Sequence, residues 1–141
     1  MAKKNVTNLN ELFAYLNNQL KNTVQNRDGE VIKETIDTAK NRVDEDVYAV
    51  YDPRIYQRTG QLREEWEVIN TANGVAIFNS RRDGNTYVAE VVETGQGYSY
   101  SFPYDGVPRP FTANTREELI KSGKLNEALK KDLRKLRFKV I

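Results

Sequence analysis

The sequence predicts an α+β domain: two N-terminal helices, a small mostly antiparallel sheet, and a C-terminal helix packed on the sheet. Three observations carry this. Apolar residues recur at helical spacing through residues 9–50. After Gly60 the period drops to two, as in strands. Helical spacing returns between residues 115 and 136. With 141 residues the chain fits one domain, 1–141. Its parts are a helical region (1–50), a strand-rich region with an aromatic arm (51–111), and a C-terminal helix with a terminal strand (112–141).

In order, a first helix is expected over 8–25, where Leu9, Leu12, Phe13, Leu16, Leu20 and Val24 make one apolar stripe. Arg27-Asp28-Gly29 is a turn signal. A second helix is expected over 30–50, with Ile32, Ile36, Ala39, Val43, Val47 and Val50 on one face. Asp52-Pro53 stops it, because proline disfavours helical geometry in the residue before it and has no amide hydrogen to donate. Residues 62–70, 74–79 and 86–92 read as short strands or extended pieces, the last with a short helix as its alternative. Asn73-Gly74 signals a hairpin and 81–85 a second turn. Trp66 is the expected anchor of the strands. In 98–104, Tyr98, Tyr100, Phe102 and Tyr104 alternate with smaller residues, which in an extended arm puts all four rings on one side. Thr115 with Glu118 fits a capping box at the start of the C-terminal helix, Ser122-Gly123 breaks or bends that helix, and 138–141 reads as a terminal strand.

Composition narrows the chemistry. The chain has no cysteine and no histidine, which removes thiol nucleophiles, disulfides, zinc fingers and histidine acid–base schemes. Asp44-Glu45-Asp46 are consecutive on a helix and point around it, so no metal site is expected there. Gly95-Gln96-Gly97 lacks the remaining residues of a nucleotide loop. Glu90 and Glu93 near that glycine pair read as surface carboxylates. No catalytic residue, cofactor or metal is therefore expected, and the chain is read as a non-enzyme. No run approaches the length of a membrane span, and the basic N-terminus has no apolar region behind it, so no signal peptide is read.

Charge is unevenly spread. Residues 28–52 carry eight acids against three bases, and residues 121–141 carry eight bases against two acids. Such helices attract each other within a subunit or between subunits, and the basic one suits phosphates. Lys124, Lys130, Lys131, Arg134 and Lys135 are the candidate phosphate contacts.

The order of short motifs carries a resemblance. Tyr51, Pro53, Tyr56, Arg58, Thr59, Gly60 and Leu62 follow the second helix. Val92-Glu93-Thr94-Gly95-Gln96-Gly97 comes next, then Arg109-Pro110-Phe111 ahead of the last helix. This succession resembles the neck or tail-completion (head–tail joining) proteins of long-tailed double-stranded DNA phages. The resemblance implies a virion structural protein, made in the host cytoplasm, that assembles at the head–tail junction as a homo-oligomeric ring, with a hexamer one compatible size. Its implied partners are further copies of itself, other neck and tail proteins, and the phage DNA passing through. The candidate contact residues are those of the 51–62 joint, together with Gly95, Gly97, Tyr98, Tyr100, Phe102, Arg109, Pro110 and Phe111. Arg109, between two prolines, is expected to project from a stiff segment. Turn-making inside the subunit explains the same residues equally well. The alternative from another class is a nucleic-acid-binding module using the basic helix and the tyrosine arm.

Overall fold

The structure is a computed structural model describing residues 7–50, 61–97 and 106–136. The expectations for Tyr51, Pro53, Tyr56, Arg58, Thr59, Gly60, Tyr98, Tyr100 and Phe102, and for a strand at 138–141, lie outside the described residues. The elements are α1 (Leu9–Gln25), α2 (Glu30–Asp46), a 3-10 turn (Tyr48–Val50), the single-turn α3 (Gln61–Glu64), β1 (Trp66–Asn70), β2 (Val75–Asn79), β3 (Arg82–Asp83), β4 (Thr86–Tyr87), α4 (Val88–Thr94), α5 (Phe111–Ser122) and α6 (Lys124–Lys135). The class is α+β, as expected. No helix among the described residues is long and apolar enough to cross a membrane.

α1 begins where the sequence places it. The Asn8 side chain accepts from the Glu11 amide at 2.8 Å, and the Glu11 carboxylate accepts from the Thr7 amide and hydroxyl. Its apolar stripe divides. Leu12 and Leu16 are half-buried, whereas Leu9, Phe13 and Leu20 stay exposed. The helix leans on the hairpin through Gln25, whose side-chain amide donates to the Thr71 and Gly74 carbonyls.

α2 is the central element, with Ile32, Ala39 and Val43 buried along it and Val47 buried just past its end. It is shorter than the expected 30–50: regular α-helix ends at Asp46, and Tyr48–Val50 tighten into a 3-10 turn. α5 and α6 lie along α2. The C-terminal part also meets the strands through Phe111, whose ring stands edge-on to Trp66 at 6.4 Å and 82°.

Two local expectations need correction. Leu62 belongs to a helical turn and not to a strand. Tertiary bonds hold that turn: Arg63 Nε donates to Asp44 at 2.8 Å, Lys40 pairs with Glu64, and Asn79 donates to the Leu62 carbonyl. The β1–β2 hairpin signalled by Asn73-Gly74 is present, in the register Asn70↔Val75 to Trp66↔Asn79, with a four-residue loop in which Gly74 does not take positive φ. The Thr71 hydroxyl accepts from the Gly74 amide and fixes that loop. Residues 86–92 are strand only at Thr86–Tyr87 and then become α4, so the short-helix alternative holds for most of the segment. The Arg81–Asn85 turn signal is realised as the β3–β4 hairpin around Gly84 at φ +60°.

The capping box at Thr115 is also not formed. α5 already begins at Phe111, so Thr115 lies inside it, buried, with its hydroxyl on the Phe111 carbonyl. Ser122-Gly123 separates α5 from α6 as expected, with Gly123 at φ +70°.

Candidate functional site

The motifs that stand far apart in sequence meet at one place. Leu62, Val92 and Phe111 form a buried cluster with Val43 and Val47, and Tyr48, Trp66, Val88 and Ala89 pack against it. Phe111 is fully buried at 0% exposure. The cluster draws on α2, α3, α4 and α5, so it joins the helical and strand-rich halves.

Above this cluster the chain closes on itself. α4 ends at Gly95, which takes φ +72°, and the backbone of Val107 lies directly against it. A Cβ placed on Gly95 would stand 2.5–2.7 Å from Val107 backbone atoms. Only glycine serves there, on conformation and on space alike. The Gly106 amide donates to the Gly95 carbonyl at 2.7 Å, and the Arg109 amide to the Val92 carbonyl at 3.0 Å. Gly97 follows at φ +93°.

Glu93 completes the closure. α5 has no side-chain cap of its own, because Pro110 holds the N-cap position. The Glu93 carboxylate fills that role across the gap, accepting from the Thr112 amide at 2.9 Å and the Ala113 amide at 3.0 Å. A carboxylate there also meets the positive end of the helix dipole. The Val-Glu-Thr-Gly-Gln-Gly and Arg-Pro-Phe motifs are therefore two halves of one clasp. It holds together the two chain ends that lead into the 98–105 arm.

Arg109 does not project as expected. It is buried at 4% exposure, and its amide bonds the Val92 carbonyl, which places this segment against α4. Leu62, Arg109, Phe111 and Gly95 thus lie inside the subunit, while Gly97 and Pro110 are exposed.

The charged helices are largely matched within the chain. Asp44 binds Arg63, and Glu45 and Asp46 bind Arg42. Asp46 also accepts from the Asn114 side chain, tying α2 to α5. Burial works against the Arg42 charge, but the hydrogen bonds to Asp46, with Glu45 and Glu118 close by, outweigh it and raise its pKa. Of the candidate phosphate contacts, Lys124 pairs with Glu118, Lys130 with Glu127, and Lys135 with Glu30 and Asp132. Lys131 and Arg134 are exposed. Among the described residues no three Asp or Glu side chains gather into a metal-binding group.

A second remote cap was not legible in the sequence. Asp132 of α6, 5% exposed, accepts from the Glu30 and Val31 amides at 2.9 and 3.2 Å and so caps α2. Neither Glu93 nor Asp132 stands at the usual cap spacing, so no local pattern marks them.

Comparison with known proteins agrees with the phage association. A prophage-derived protein of Bacillus subtilis (strain 168), "SPbeta prophage-derived uncharacterized protein YomN", is 46% identical over 102 residues, covering 70% of this chain and 73% of that protein. No solved structure matches. The YomN family matches residues 8–135, a span that holds α1 to α6 and both halves of the clasp. The chain belongs to the YomN family.

Proposed function

We propose that this protein is a virion structural component of the phage head–tail junction, a neck or tail-completion protein that acts by forming oligomeric interfaces and not by turnover. The clasp is the observation that carries the reading. It fixes both ends of a ten-residue connection whose middle holds Tyr98, Tyr100, Phe102 and Tyr104. An aromatic-rich segment whose two ends are tied together by backbone bonds suits presentation to a neighbour. The prophage origin of the relative and the order of the sequence motifs support the same reading. Its partners in this proposal are further copies of itself in a ring, the adjoining neck and tail proteins, and the DNA within.

The test is electron microscopy of lysates from a phage lacking this gene. Filled heads and finished tails should accumulate unjoined, and the purified protein should restore joining. Normal joined particles in its absence overturn the proposal. A second reading, direct contact with nucleic acid, is favoured only by the exposed Lys131 and Arg134. It predicts salt-sensitive DNA binding that is lost on reversing those two charges.

A further inference from the structure

The β1–β2 loop holds the only Asn-Gly pair in the sequence, Asn73-Gly74. An asparagine carboxamide is open to attack by the backbone nitrogen of the next residue, which closes a five-membered ring. Glycine in second place obstructs that attack least, because it has no Cβ and the widest backbone freedom. Asn73 is exposed, and a Cβ built on Gly74 meets nothing closer than 3.9 Å, so the space beside the pair is open. The other two asparagines of the hairpin are placed differently. Asn70 ends β1 and is followed by the β-branched Thr71. Asn79 is buried with both ends of its carboxamide bonded, donating to the Leu62 carbonyl and accepting from the Arg81 amide.

We propose that Asn73 is a site of spontaneous deamidation, gated by the contact between this loop and α1. The Gly74 nitrogen gives up its proton to solvent base, and its electron pair attacks the side-chain carbonyl carbon of Asn73. The carbon–nitrogen bond of the carboxamide breaks and ammonia leaves, giving a cyclic imide. Water then opens the imide at either carbonyl and leaves aspartate or isoaspartate at position 73. The net change consumes water and releases ammonia, with no oxidant or cofactor. The fold opposes the first step. The Gly74 amide donates to the Thr71 hydroxyl at 3.1 Å, which holds its proton. Gln25 of α1 donates to the Thr71 and Gly74 carbonyls at 3.1 and 2.9 Å, which fixes the loop. The product acts back on the same contact. Isoaspartate routes the chain through an extra backbone carbon and spoils the convergence of those two carbonyls on Gln25. A new carboxylate also enters the cleft between the loop and α1, where Lys21 is the one charged side chain of the lining. The reaction is thus a slow, one-way change in how the hairpin sits on α1, and it does not rest on the head–tail reading.

Ageing the full chain in warm, mildly alkaline buffer tests it, read by peptide mass spectrometry with isoaspartate detected by enzymatic methylation. Conversion should concentrate at Asn73 and leave Asn70 and Asn79 intact. Gly74→Ala, which the backbone accepts because Gly74 does not take positive φ, should slow conversion about ten-fold or more. Thr71→Val and Gln25→Met each remove hydrogen bonds at nearly constant volume and should speed it. In urea the gate is gone, so wild type, Thr71→Val and Gln25→Met should convert at one common rate. The Thr71 amide, which donates to the Gly74 carbonyl at 2.9 Å, should exchange its hydrogen faster in the converted protein than in the fresh one. Circular dichroism checks that each variant is folded before ageing. No conversion in the folded chain, equal conversion at Asn70 or Asn79, or a Gly74→Ala variant as fast as wild type overturns the site. Thr71→Val and Gln25→Met at the wild-type rate in the folded state overturn the gate, and unchanged exchange at Thr71 overturns the effect on the hairpin.

Discussion

Replacing Gly95 by alanine tests the clasp most directly, because the structure separates its two costs. Gly95 sits at φ +72°, where an L-residue is disfavoured by about 1–2 kcal/mol. The added Cβ also meets Val107 backbone atoms at 2.5–2.7 Å. Backbone cannot step aside as a flexible side chain can, so overpacking adds about 1–3 kcal/mol. Gly84 is the matched control: it has φ +60°, but a Cβ added there meets nothing within 4 Å. Alanine at that position carries the conformational cost alone, partly offset by a stiffer unfolded chain. Gly95→Ala should therefore destabilise by about 2–5 kcal/mol and exceed Gly84→Ala by about 1–3 kcal/mol. For a domain of this size each kcal/mol lowers Tm by about 3–5 °C. Thermal denaturation and urea titration of both variants read the difference. Equal melting temperatures would refute the claim that close backbone approach, and not turn geometry alone, requires glycine at position 95.

The remaining expectations follow from caps, core and charge. Glu93→Ala should cost about 1–2 kcal/mol and speed hydrogen exchange at the Thr112 and Ala113 amides, with Glu93→Gln intermediate; unchanged exchange there counts against the remote cap. Asp132→Ala should cost at least as much, about 2 kcal/mol, since that carboxylate is buried; urea denaturation measures it. Phe111→Ala should cost about 3–5 kcal/mol and Phe111→Leu clearly less, read by the same titration. The Glu64 carboxyl is held below its usual range by hydrogen bonds from Lys40 and then Arg63. A depressed folded-state pKa contributes stability above the ordinary carboxylate range and loses it as pH falls through the depressed value. The stability gap between wild type and Glu64→Gln should therefore shrink below about pH 4, and a gap that widens on acidification contradicts the assignment.

Much of the fold was readable locally because its causes are local. Asn8 and the 3.6-residue period define α1, and Gly123 separates α5 from α6 through its own conformational freedom. The misread places share one property: their outcome depends on groups distant in sequence. The strand expected over 62–70 starts only at Trp66, because bonds to Asp44, Lys40 and Asn79 hold residues 61–64 as a helical turn. Thr115 and Glu118 form a sound capping pattern, yet Glu93, some twenty residues upstream, lets α5 begin earlier at Phe111. Arg109 between two prolines looks built to project, yet it is buried, and its amide bonds the Val92 carbonyl of a distant helix.

By itself the sequence determined the α+β class, the span of α1, the break between α5 and α6, and the lack of thiol and imidazole side chains. These depend on residue type, period and neighbouring residues, which a linear chain displays in full. Only the tertiary structure decided that the glycine motif and the Arg-Pro-Phe motif are one clasp, that two carboxylates cap helices remote from them, and that Leu9, Phe13 and Leu20 of α1 stay open to solvent. Those are matters of which groups meet across the fold. A hydrogen bond or a buried contact is set by distance in space, and separation along the chain does not encode it.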